Sequence, residues 1–82
     1  MKLLDGDKQV PLHIVQLYLT PGEAAKLRDA LTSLLVDPEA NAHEHISAED
    51  GTRELSVSVV TEAKLKNVGR YSKAEQKMFT ER

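Results

Sequence analysis

The chain has 82 residues, with 11 basic and 13 acidic side chains, 40% apolar residues and a net charge of −2. That length fits a single domain over residues 1–82, and a domain this small buries only ~60% of the surface its unfolded chain exposes. The absence of cysteine excludes disulfides and thiolate metal sites, and the scattered, slightly acidic charge argues against a nucleic-acid partner.

Phe79, Tyr18 and Tyr71 are the only aromatic rings, so the expected core is thin. Small domains of this kind lean on a metal, a disulfide or a partner subunit. No apolar run approaches the ~18 residues of a membrane span. The apolar start of the chain stops at Asp5, which does not read as an export signal. The expected location is therefore cytoplasmic, with no membrane partner.

Asp5-Gly6-Asp7 is a turn signal that folds residues 2–4 back on residues 8–18 as a short edge strand. Pro11 limits that pairing because it has no N–H to donate. Residues 11–19 read as a strand, rich in β-branched and long apolar side chains. One face carries His13, Val15, Leu17 and Leu19, and the other carries Leu12, Ile14, Gln16 and Tyr18. With both faces apolar, the strand is either buried on both sides or keeps one face for a partner.

Thr20-Pro21-Gly22-Glu23 is a capping box with proline at the first helical position, and it opens a helix over residues 20–36. Ala24, Leu27, Leu31, Leu34 and Leu35 form its expected apolar stripe, with Lys26, Asp29 and Ser33 opposite. Asp37-Pro38 ends it, since the residue before proline is pushed out of the α region. The capping box uses the amide donors that would otherwise make this helix start an anion site.

Residues 42–48 and 53–60 read as a hairpin around Asp50-Gly51. A two-residue turn places Ile46 opposite Leu55, Glu44 opposite Val57, His45 opposite Ser56 and His43 opposite Ser58. A three-residue loop shifts every pair by one. Beyond Thr61 the chain reads as two short helices. Thr61 caps the first, over 62–68, and Gly69 stops it; Ser72-Lys73-Ala74-Glu75 is a second capping box. Lys64, Lys66, Arg70, Lys73 and Lys77, interleaved with acids, read as a solvated helix face. Tyr71, Met78 and Phe79 read as lid-type core. The fold class is α+β: one long helix on one face of a three- or four-stranded antiparallel sheet, in the order β(β)αββ, with short C-terminal helices.

The one cluster with a chemical look is His43-Glu44-His45. Histidines at i and i+2 on a strand share a face, their Cβ atoms ~6–7 Å apart. Three readings fit: a wet pair opposite Ser56 and Ser58, a metal site completed by a carboxylate or water, and a pH-sensitive contact patch. No nucleophile elbow or glycine-rich phosphate loop occurs, so neither an enzyme nor a cofactor is expected.

Residues 19–27, the run Asp37-Pro38-Glu39-Ala40-Asn41, His43-Glu44-His45-Ile46, Asp50-Gly51 and Glu54-Leu55-Ser56-Val57-Ser58-Val59 together resemble a group of short bacterial proteins. Some similar sequences sit among the immunity proteins of polymorphic toxin systems. The likeness covers roughly residues 12–62. It implies an α+β module whose role is binding, and it carries no residue roles with it. Together with the thin core, the two-sided apolar strand and the lack of a catalytic constellation, this leads to the expectation of a non-enzymatic protein-interaction module, either immunity- or antitoxin-like or a homodimer. The contact residues are Leu12, Ile14 and Tyr18, with His43 and His45 beside them. The alternative is a small metal- or ligand-binding protein using the two histidines.

Overall fold

The computed structural model describes residues 1–81. It is α+β, with the element order β1 (Leu3–Leu4), β2 (Pro11–Leu12), α1 (Pro21–Val36), β3 (His43–Ser47), β4 (Glu54–Ser58), α2 (Glu62–Leu65), a 3₁₀ turn (Val68–Arg70) and α3 (Lys73–Thr80). The strands form two separate antiparallel pairs, β1 with β2 and β3 with β4. The expected three- or four-stranded sheet is therefore replaced by two hairpins, and the chain divides into two compact units, Met1–Leu17 with the chain from Ala63, and Tyr18–Glu62.

The first unit holds the β1–β2 hairpin. Asp5 organises its turn: Oδ1 accepts from the amides of Asp7 and Lys8, both at 2.9 Å. Gln9 sits in the left-handed region at φ 57° and donates through Nε2 to the Gly6 carbonyl. Leu3 pairs with Leu12 and Leu4 with Pro11. Pro11 limits this pairing because it contributes no amide. Residues 14–20 continue without helix, strand or turn. The expected strand over 11–19 thus shrinks to its first two residues.

In the C-terminal part of this unit, Ser72 and Glu75 form the second capping box of the chain, as the sequence predicts. Met78 is buried, and Tyr71 and Phe79 pack edge to face at 4.8 Å. The Lys2 ammonium donates to the Glu81 carbonyl. The expected 62–68 helix ends at Leu65, and Gly69 lies inside the 3₁₀ turn rather than acting as a left-handed stop. Lys64 is 5% exposed, not on a solvated face. With only one helical turn in α2, the periodicity that assigned it an outer position does not run far enough to hold.

In the second unit, α1 begins at a complete capping box. Thr20 Oγ1 accepts from the Glu23 amide at 3.1 Å, and Glu23 Oε1 accepts from the Thr20 amide at 2.9 Å. The helix packs chiefly on β3. Its inward positions are Leu27, Ala30 and Leu34, the last only 6% exposed. Ala24, Leu31 and Leu35, expected in the stripe, are exposed instead. Strands lie ~4.8 Å apart and a helix with its side chains is ~10–12 Å wide, so two strands cover a strip one ridge wide and leave its flank open.

The β3–β4 register is the predicted one: His43↔Ser58, Glu44↔Val57, His45↔Ser56, Ile46↔Leu55. The turn differs. Gly51 N donates to the Ala48 carbonyl at 2.9 Å, Ala48 N donates to the Arg53 carbonyl, and only Gly51 has positive φ, +75°. A type I′ turn needs positive φ at both central residues, so this is a four-residue loop that happens to conserve the pairing. Ile46, Leu55 and Val57 point toward α1, and His43, His45, Ser56 and Ser58 form an exposed outer face.

Candidate functional site

Three surfaces carry side chains of interest. The first is the outer face of the β3–β4 hairpin. Strand alternation brings His43 and His45 together, with ring centroids 4.7 Å apart and planes at 83°. His45 Nδ1 lies 3.0 Å from Glu54 Oε1. Glu54 is two residues before Ser56, the partner of His45, so it occupies the diagonal position on the same face. That contact was legible from the register but not anticipated. Both side chains are about half exposed, so the pair is screened by solvent and worth little to stability. Among the described residues no group of three or more histidines and carboxylates is placed to hold a metal ion.

The second surface is the start of α1, where the hairpin loop is tied to the helix. Glu23 uses both carboxylate oxygens: Oε1 takes the Thr20 amide and Oε2 takes the Glu49 amide at 2.9 Å. These two amides, the Thr20 one first, hold the Glu23 carboxyl below the ordinary glutamate range. Thr20 Oγ1 in turn donates to Glu49 Oε1 at 2.9 Å. A Cβ at Gly22 would meet Glu49 Oε1 at 2.5 Å, so glycine leaves the loop room to approach. Two carboxylates converge here and the amides are occupied, which makes the site a structural clasp and not an anion cradle. Beside it, a shallow hollow of about 320 Å³ lies between α1 and β3, lined in part by Lys26, Asp29, Ser33 and Glu44. Its lining also includes Ala30, His45 and Ile46.

The third is the run of chain from Val10 to Leu19, which passes from the first unit into the second. Ile14 is 86% and Tyr18 84% exposed, and Val10, Leu12, Val15, Leu17 and Leu19 are exposed to a lesser degree. Leu12 belongs to β2, whereas residues 14–19 have no strand partner among the described residues. The structure thus brings His43 and His45 into contact on one face. Leu12 and Ile14 lie in the first unit and Tyr18 in the second. The sequence reading missed the exposed Leu31 and Leu35 on α1, because it assumed a wider sheet beneath them.

No protein-family model, curated protein or solved structure matches the chain. No helix among the described residues is long and apolar enough to cross a membrane.

Proposed function

We propose that this chain is a non-enzymatic protein-interaction module of the cytoplasm, acting either as an immunity- or antitoxin-like protein or as a homodimer. Its contact surface is centred on Leu12, Ile14 and Tyr18, with His43 and His45 as an accessory polar face. The observation that carries this reading is the exposure of Ile14 and Tyr18 on a run of apolar side chains with no strand partner among the described residues. Large contiguous apolar patches on small proteins mark contact sites. A segment without a strand partner also suits pairing with another strand.

The test is Ile14→Asp. A charge on a contact surface abolishes association while the far-ultraviolet circular dichroism and melting cooperativity of the chain persist. If Ile14→Asp unfolds the protein, that side chain is core and the reading fails.

A further inference from the structure

We propose that residues 13–19 of one copy add as a third strand to the open edge of β4 in a second copy, reciprocally, so that the protein is a strand-exchanged homodimer. This rests on the interaction reading above and names its partner.

The acceptor is built in the second unit. β4 pairs only with β3 among the described residues, so its other edge presents unpaired backbone groups. The helix above it is unevenly covered. At 100° per residue, Lys26, Asp29 and Ser33 lie on one flank of α1, the flank that borders β3. Leu31 and Leu35 lie on the opposite flank, above the β4 side, and are 40% and 63% exposed. Beneath them Leu55 and Val57 of β4 are half-buried, whereas Ile46 of β3 is 6% exposed. An apolar strip beside a free strand edge is what a missing strand leaves behind. A two-stranded sheet is itself marginal, and a third strand is the usual remedy.

The donor is in the same chain. Residues 13–19 alternate His13, Val15, Leu17, Leu19 against Ile14, Gln16, Tyr18; His13 lies in a bend, and residues 14–19 carry no helix, strand or turn and no strand partner among the described residues. The odd-numbered side has the three consecutive aliphatic residues, so it faces Leu31 and Leu35. The even-numbered side, with Ile14, Gln16 and Tyr18, joins the outer face of Ser56 and Ser58.

A foreign strand on β4 would leave residues 13–19 unsatisfied. A second copy satisfies donor and acceptor together, and two-fold symmetry closes the assembly.

The test combines mass and proximity. Light scattering across a dilution series is expected to give twice the chain mass. The chain has no cysteine, so Gln16→Cys accepts a single nitroxide label. Labelled chains at natural isotope abundance are mixed with unlabelled ¹⁵N chains, which makes any broadening intermolecular. The expected result is broadening of amides 54–58 beyond that of amides 43–47. Leu17→Asp on the donor and Leu35→Asp on the acceptor are each expected to weaken the dimer at least tenfold, with helical signal retained. A dimer broadened elsewhere overturns strand exchange and leaves the interaction reading intact. So does a monomer at every concentration in which Ile14→Asp still folds. A monomer that Ile14→Asp unfolds overturns both.

Discussion

Replacing Ile46 with alanine tests whether the α1–hairpin packing is the source of stability in the second unit. Ile46 is 6% exposed and, among the described residues, shares the buried apolar positions with only Leu34 and Met78. The substitution removes three carbons, a transfer loss of ~2.4 kcal/mol at ~0.8 kcal/mol per carbon, and partial collapse of the cavity brings the total to about 3 kcal/mol. A chain of 82 residues has ~4–12 kcal/mol in all, so one side chain would account for a quarter or more. In urea, with a slope of ~1 kcal/mol/M for a chain this small, the midpoint should fall by about 3 M. His45→Ala, one residue away on the exposed face, should stay within ~0.5 kcal/mol. Both unfolding curves must be taken at one protein concentration, because self-association adds a mass-action term. A loss below ~1 kcal/mol for Ile46→Ala, or equal losses for the two variants, would refute the inward assignment of Ile46 and with it the packing of α1 on β3.

Acid should loosen the chain through named carboxylates. Glu23 lies below its ordinary 4.5, held by the Thr20 and Glu49 amides. Asp50 lies below 3.8 through the Thr52 hydroxyl and amide, and Asp5 through the Lys8 and Asp7 amides. In each case the unfolded chain binds the proton more readily, so the stabilisation is present above these ordinary values and is lost as pH falls through the lower folded ones. Melting temperature should therefore drop below about pH 4.5, and Glu23→Gln should flatten the upper part of that drop; an unchanged profile would count against the clasp. Two glycines separate by backbone. Gly51→Ala, at φ +75°, should cost ~1–2 kcal/mol by thermal melting. Gly69→Ala, with open space around it and no positive φ, should be within ~0.5 kcal/mol of wild type.

What was legible in the sequence was what local chemistry decides. Both capping boxes are satisfied within four residues, Thr20 to Glu23 and Ser72 to Glu75, so no distant contact can overrule them. The β4 alternation of Leu55 and Val57 with Ser56 and Ser58 orients the hairpin whatever its turn, which is why the register held although the loop is not type I′. The turn type at Gly51 and the helix stop at Gly69 are local signals that do not hold, but the differences that reshape the fold are non-local. β-propensity over residues 11–19 describes a side-chain preference and supplies no partner for the backbone. The apolar stripe on α1 was drawn for a sheet width that only such a partner provides. The His45–Glu54 contact differs from these, because the expected register already places the two residues on one diagonal.

The two misreadings share one cause, and it bears on function. If residues 13–19 paired along β4, Leu31 and Leu35 would lie above a third strand and the expected helix stripe would be correct as first drawn. The sequence is therefore self-consistent for a three-stranded sheet, which natural chains tend to be across levels. The single chain holds only the two strands β3 and β4 beneath α1. A sequence patterned for three strands and a chain that pairs two are reconciled when the third comes from a second copy. The exposed Leu17 and Leu35 are then the two halves of one interface, and local propensity and global packing agree again at the level of the proposed dimer.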